Sequence, residues 1–289
     1  MPEMPEVETV VRGLRDTVVG ETIAAVRLNA PPASIVISKT FKPKTFGDIL
    51  RNRQILGVDR RGKNILMRLS GNLTLWAHLK MTGHFLYLPP TEPLDKHDLV
   101  IFDFKSASPV EGSSCDGKRH LRFNDYRRFG RLRLFPDDEL WEQKGLKELG
   151  PEPLTLKRAD FIRLCHSTSR MIKPALLDQS FIAGLGNIYA DESLYASRIH
   201  PRRLTASLSE KKLAELHRHI RRLLKLAIRK MGTSVDSYTG VNGQPGTFQR
   251  YLQVYDNEGQ PCPRCGSTII REKIGSRSAH YCRRCQRLR

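Results

Sequence analysis

Cys262-Pro-Arg-Cys265-Gly266 and Tyr281-Cys282-Arg-Arg-Cys285-Gln286 lie near the end of the chain, two CxxC pairs with 16 residues between them. Each pair puts two sulfurs on one tight turn, and two such turns make the four-thiolate tetrahedron that a structural zinc ion prefers. Gly266 follows the first pair where the turn needs a positive φ. Cys262, Cys265, Cys282 and Cys285 are therefore the expected ligands of one Zn2+. The alternatives are two disulfides or four unrelated thiols. Around the cage stand Arg264, Arg271, Lys273, Arg277, Arg283, Arg284, Arg287 and Arg289, against the single acid Glu272. A basic zinc hairpin is suited to gripping phosphates.

Outward from the cage, composition agrees. The 289 residues carry a net charge of +19, which points to a polyanionic partner. At this length two or three domains are expected, each with its own core. A membrane surface is the competing partner, but no apolar run approaches the ~20 residues of a spanning helix. The N-terminus has no charged segment leading into an apolar stretch, so no secretory signal is expected. Only Cys115 and Cys165 lie outside the cage. Thiols in that pattern indicate a reducing compartment. Nucleic acid is the favoured partner.

From Glu21 to about Phe135 the hydrophobic pattern alternates. Asn64–Leu69 and Leu73–His78 flank Gly71-Asn72, a hairpin signal, and further strands are expected at His84–Leu88, Leu99–Phe104, Arg119–Phe123 and Arg131–Phe135. Such a series predicts a β-sandwich or barrel. Glu6–Val18 before it has helical spacing. Residues 106–118 read as an exposed loop, and 141–154, with Gly150-Pro-Glu-Pro153, as a linker. Helices follow. One is expected from about Asn187 to Ser197, ended by Arg198-Ile-His-Pro201. Another spans Lys211–Lys230, with Ser209 as N-cap and Gly232 as the C′ residue. Ala183-Gly-Leu-Gly-Asn187 opens the first, where glycines and free N–H groups suit an anion, although tight helix packing explains it about as well.

At the other end stands Met1-Pro-Glu-Met-Pro-Glu-Val-Glu-Thr9. Methionine before proline is normally removed, which leaves Pro2 as a free secondary amine. An α-amino group titrates near ~8, so a useful fraction is nucleophilic at neutral pH. Condensed with an aldehyde-level carbon, it gives a cationic iminium that acts as an electron sink. Glu3 beside it is placed to protonate a sugar oxygen. On chemistry alone an ordinary polar N-terminus is the better reading.

Residues 2–9 resemble the N-terminus of the formamidopyrimidine-DNA glycosylase family, the bacterial repair enzymes for 8-oxoguanine, and that reverses the weighting. The similarity runs through Arg60-Arg-Gly-Lys63, His78-Leu-Lys-Met81-Thr-Gly, Tyr126-Arg-Arg-Phe-Gly130, Leu149-Gly-Pro-Glu-Pro153 and Ile172-Lys-Pro. It continues through Asp178-Gln179, Gly184-Leu-Gly-Asn-Ile-Tyr189, Leu252-Gln-Val-Tyr255 and the cysteine hairpin. The resemblance implies an α+β multidomain chain. Its parts are an N-terminal β-sandwich with a leading helix (residues 1–140), a helix–two-turn–helix domain (155–255) and a four-cysteine zinc finger (256–289).

It also implies roles. Pro2 would be the nucleophile at C1′, Glu3 the general acid, Lys63 the lysine of β-elimination and Arg277 the finger arginine of δ-elimination. His78, His97, Arg128, Lys173, Asn187 and Tyr255 would touch the DNA backbone. Met81, Arg127 and Phe129 would fill the gap left when a base is taken out of the stack. Glu6 and the segment from Thr233 to Tyr238 would meet the damaged base. Two features depart from the family: residues 106–118 are longer than its usual hairpin, and Arg277-Ser278-Ala279 replaces a pattern with Thr. The expected activity is a bifunctional glycosylase and AP lyase acting on oxidised purines in duplex DNA, as a monomer in the bacterial cytoplasm. The rivals are an endonuclease VIII-type enzyme for oxidised pyrimidines, or a non-catalytic zinc-ribbon protein that holds DNA by charge alone.

Overall fold

The computed structural model describes residues 1–29, 45–105, 119–234, 240–241 and 243–288. The expected loop at 106–118 and the 235–238 part of the base-recognition segment lie outside the described residues. The chain divides into two compact units: residues 1–2, 6–147 and 231–247 form the first, and 3–5, 148–230 and 248–289 the second. Helical bundle and cysteine hairpin thus share one unit, and residues 231–247 belong with the N-terminal unit rather than with the helices they follow.

Helix α1 (Met4–Val18) belongs to the first unit from Glu6 onward, where it turns Val7, Val10, Val11, Leu14 and Val18 to one side, the i, i+3, i+4, i+7 spacing of a core-facing stripe. After it come β1 (Ile23–Leu28), α2 (Phe46–Leu50), β2 (Ile55–Arg61), β3 (Asn64–Leu69), β4 (Leu73–His78), β5 (His84–Leu88), β6 (Asp98–Phe104), β7 (His120–Asn124) and β8 (Arg131–Pro136). They make two antiparallel four-stranded sheets, ordered β1-β6-β7-β5 and β2-β3-β4-β8. Ile65, Leu75 and Leu134 of one sheet share a core with Phe85, Phe102 and Phe123 of the other, the arrangement of a sandwich. Gly71 and Asn72 both take positive φ (81° and 56°), which folds β4 back on β3. Short helices α3 (Asp137–Leu140) and α4 (Lys144–Lys147) follow, so the expected linker at 141–154 is partly helical.

The second unit holds α5 (Arg158–His166), α6 (Ile172–Leu177), α7 (Asn187–Ala196), α8 (Glu210–Arg229) and the hairpin β9 (Ile270–Ile274)–β10 (Arg277–Tyr281). Helix α8 is amphipathic, burying Leu213, Leu216, Ile220, Leu223, Leu224, Ala227 and Ile228. Ser209 caps it by accepting the Lys212 N–H at 3.4 Å, and Met231 as well as Gly232 takes the left-handed conformation beyond its end. Helix α7 is different. Tyr189 through Tyr195 are all buried, Asp191 and Glu192 included, so it has no polar face and no readable period. Among the described residues no helix is long and apolar enough to cross a membrane.

Candidate active site and nucleic-acid interface

In the first unit Pro2 is buried while Met1 is exposed. Lys63 occupies the two-residue turn from β2 to β3, where Arg61 pairs with Asn64, and it is only 6% exposed. Arg60 clamps that turn: its guanidinium donates to the Gly62 carbonyl (2.8 Å) and to Glu8 on α1 (3.0 Å). Below it, the Asn64 amide donates to Arg61 O (2.9 Å) and accepts from the Trp76 indole (2.8 Å). Lys63 is therefore held at both ends of its turn.

His78, at the end of β4, lies near Lys63 among several cations. Burial, with Lys80, Lys63 and Arg133 nearby, pushes its pKa down to about 3, so the ring is neutral at working pH. Its Nδ1 accepts the Lys80 N–H at 2.9 Å, which leaves the proton on Nε2. Lys80 is itself lowered, by burial and by Arg131 and Arg133. Like charges crowded in this way are what a phosphate would relieve. Met81 and Phe129 are 41% and 46% exposed, unusual for large apolar groups, and the Arg127 guanidinium lies over the Phe129 ring, 4.9 Å from its centroid. Arg128 takes a left-handed φ of 57° in the same loop. The His97 ring meets Tyr126 edge-on, and its Nδ1 is buried with no hydrogen-bond partner among the described residues. Glu6 and Thr233, 227 positions apart, are both buried and joined by a 2.8 Å bond from the Thr233 N–H to the Glu6 carboxylate.

In the second unit the N-terminus of α7 seats a carboxylate. Glu3, 3% exposed, accepts backbone N–H groups from Gly186 (2.8 Å), Ile188 (2.9 Å) and Tyr189 (3.4 Å). These are the unpaired donors of a helix start, aligned with the positive end of its dipole. Glycine at position 186 leaves room for this carboxylate: a Cβ there would fall 2.3 Å from the Glu3 carboxyl carbon, so a larger residue would displace Glu3. At the same helix start the Asn187 side chain bonds the Tyr255 phenol, whose pKa is raised by burial and by the Glu3 charge. Asn187 Oδ1 is buried without a partner among the described residues. Two expected phosphate contacts thus stand side by side, and the phenol keeps its proton to donate.

Asp191 and Glu192 make this platform rigid. Asp191, 1% exposed, accepts from Lys173 Nζ at 2.5 Å and from the His280 N–H at 2.9 Å. It therefore ties α6 and α7 to strand β10, which begins at Arg277. Glu192 collects the N–H groups of Gln253, Val254 and Tyr255 at 2.9–3.0 Å, and burial pushes its pKa up to about 6. Neither residue stood out in the sequence, because nothing in α7's pattern separates a buried acid from a solvated one.

The four cysteines close the unit. Their sulfurs all lie within 4.8 Å of one another, with Cys262–Cys285 at 3.9 Å and Cys265–Cys282 at 3.5 Å. A tetrahedron with Zn–S bonds of about 2.3 Å has edges of about 3.8 Å, so one zinc ion fits the cage. Disulfides, with sulfurs about 2.05 Å apart, do not describe it. Gly266 takes a φ of 73°, as the turn requires.

Three family models cover the chain in order: the formamidopyrimidine-DNA glycosylase N-terminal domain over residues 1–132, that family's H2TH domain over 149–239, and a zinc finger found in FPG and IleRS over 259–288. Formamidopyrimidine-DNA glycosylases from Pelotomaculum thermopropionicum and Pediococcus pentosaceus are each 43% identical across the full length of both chains. The chain belongs to the formamidopyrimidine-DNA glycosylase family. A solved complex of the Lactococcus lactis glycosylase with abasic-site DNA superposes with a TM-score of 0.87 at 32% identity, covering 99% of each chain. A second complex of that glycosylase, with N7-benzyl-Fapy-dG DNA, gives 0.86 at 33% identity over 99% of this chain and 100% of that one.

Within this family member the expected site residues fall into local groups. Lys63 and His78 share one group, Met81, Arg127 and Phe129 are exposed loop residues, Glu6 joins Thr233, and Glu3, Asn187 and Tyr255 share the α7 start. Lys173 differs from expectation. It is 0% exposed, and its ammonium is taken up by Asp191 and, at 2.5 Å, by the Ser278 carbonyl. An ammonium stripped of water this completely is stable only when so paired, and burial accordingly lowers its pKa. Lys173 is an internal strut of the hairpin, not an open phosphate contact.

Proposed function

We propose that this chain excises oxidised purines from duplex DNA through an N-terminal proline amine and then nicks the strand as an AP lyase. The seat of Glu3 is the observation that carries the reading, since it fixes the residue next to Pro2 on a rigid helix start. With Met1 removed, the Pro2 nitrogen attacks C1′ and the damaged base departs. The new C–N bond first makes a protonated amine. The Glu3 carboxylate takes that proton and returns it to O4′ as the sugar ring opens, leaving an iminium at C1′. One proton thus leaves nitrogen and arrives on oxygen, and Glu3 is base and then acid.

The iminium withdraws electrons, so loss of a C2′ proton expels the 3′ phosphate, and a second elimination expels the 5′ phosphate. Lys63 serves the first elimination and Arg277 the second. His78, His97, Arg128, Asn187 and Tyr255 hold the backbone, Met81, Arg127 and Phe129 fill the void, and Glu6 with Thr233 faces the base. Zinc, bound by Cys262, Cys265, Cys282 and Cys285, would crosslink the finger that carries Arg277. The enzyme works as a monomer in a bacterial cytoplasm, on nucleoid DNA. A substrate panel tests the reading: duplexes carrying 8-oxoguanine or Fapy lesions should be incised far faster than duplexes with oxidised pyrimidines. The reverse order assigns the chain to the endonuclease VIII type, and binding without incision of either makes it a non-catalytic zinc-ribbon protein.

A further inference from the structure

Asp125 has no part in the chemistry above, yet it is 0% exposed and, among the described residues, has no cation as a hydrogen-bond partner. Its carboxylate gathers three donors instead. One oxygen accepts the Thr82 hydroxyl and the Arg127 N–H (3.1 Å), and the other accepts the Gly130 N–H at 2.7 Å. The Asp125 backbone adds two more bonds, its N–H to the His97 carbonyl (3.0 Å) and its carbonyl from the Arg128 N–H (3.2 Å). Thr82 adjoins Met81 in one loop, and Arg127 to Gly130 carry the other two void-filling residues. A single buried carboxylate therefore ties both loops together.

The surroundings leave little freedom. Gly130 packs so closely that a Cβ would lie 2.5 Å from the Phe123 ring and 3.0 Å from Asp125 Oδ2. Arg131 closes the second loop from outside, donating to the carbonyls of Arg128, Phe129 and Gly130. Met81 and Phe129 stay exposed, at a cost in water, on a frame that cannot collapse to bury them.

We infer that Asp125 is a positioning residue for base extrusion: it holds Met81, Arg127 and Phe129 as one preformed wedge, so that the stack is opened by a rigid body rather than by two independent loops. This rests on the void-filling reading of those three residues. Asparagine cannot substitute, because its amide offers one acceptor oxygen and turns N–H groups towards N–H donors.

The test uses the full-length enzyme with a duplex carrying 2-aminopurine beside 8-oxoguanine, whose fluorescence rises when the stack is opened. Asp125→Asn and the milder Thr82→Val are compared with wild type, with β-elimination at an abasic site in a single-stranded oligonucleotide as the second readout. Removing Asp125 should suppress the fluorescence rise and slow duplex excision about 100-fold, the scale of a 1 Å misplacement. Single-strand elimination, which needs no extrusion, should persist, and Thr82→Val should show the same split in smaller measure. Loss of both activities together in both variants makes Asp125 merely structural and overturns the inference, as does retention of both. A Met81→Ala/Phe129→Ala variant separates the premises. If it leaves the fluorescence rise intact, the wedge reading fails; if it abolishes the rise and Asp125→Asn does not, the role of Asp125 fails.

Discussion

Splitting the Lys173–Asp191 pair should unseat the Arg277 hairpin, and the size of the effect follows from burial. The two side chains are 0% and 1% exposed. Asp191→Leu leaves the ammonium, among the described residues, with the Ser278 carbonyl alone and leaves the His280 N–H without its acceptor. An uncompensated buried charge costs about 3–5 kcal/mol. Lys173→Met leaves the carboxylate with the His280 N–H and, at 3.4 Å, the His280 ring, at a similar cost. The double variant Lys173→Met/Asp191→Leu removes both charges together, so its cost should fall well below the sum of the two, a coupling of about 2 kcal/mol or more. Urea unfolding followed by far-UV circular dichroism measures this. Trp76 and Trp141 both lie in the first unit, and their fluorescence would miss it. Single variants that each cost less than about 1 kcal/mol, or costs that simply add in the double, would refute the claim that the pair acts as one buried unit.

Further outcomes are expected. Chelating zinc should abolish duplex binding while tryptophan fluorescence stays unchanged, because the cage and both tryptophans sit in different units; a fluorescence shift on chelation would contradict that division. His78 should show no titration between pH 8 and 5 by NMR, with its proton on Nε2. Its folded pKa near 3 lies below the unfolded value, so the stability it contributes is present above ~6.5 and falls as pH drops below that. Glu192 has the opposite sign: its folded pKa near 6 is raised from 4.5, so its contribution is full below 4.5 and lost as pH rises through 6. Glu192→Gln should flatten that decline in urea titrations, and an unaltered pH profile would count against burial as the cause. Gly186→Ala should displace Glu3 from the start of α7 and lower excision at least about 100-fold, whereas a near-normal rate would mean that Glu3 need not sit there.

Where local pattern decides structure, the sequence was legible. The β3–β4 hairpin, the Ser209 cap, the stripe of α8 and the cysteine cage all depend on neighbours a few residues apart. The Gly-Leu-Gly-Asn string marked the α7 start as a place for an anion, but that the anion is the Glu3 carboxylate, 183 positions away from Gly186, had no local signal. What could not be read depends on tertiary burial. Asp125, Asp191 and Glu192 look like surface acids in the sequence, and only the fold wraps backbone donors around them. Lys173 carried a family motif, but its motif does not reveal that Asp191 captures the ammonium. The return of residues 231–247 to the first unit, through the Thr233–Glu6 bond, also has no local signal.

The central claim is that the Pro2 nitrogen is the reagent, and one measurement reaches it directly. The enzyme lacking Met1 is incubated with 8-oxoguanine duplex and borohydride, digested with trypsin, and the cross-linked peptide is sequenced by mass spectrometry. The account predicts a reduced DNA adduct on the Pro2–Arg12 peptide, localised to the proline nitrogen, and no adduct when Pro2 is preceded by extra residues. An adduct on Lys63, or one that persists at full yield when the N-terminus is blocked, would contradict it.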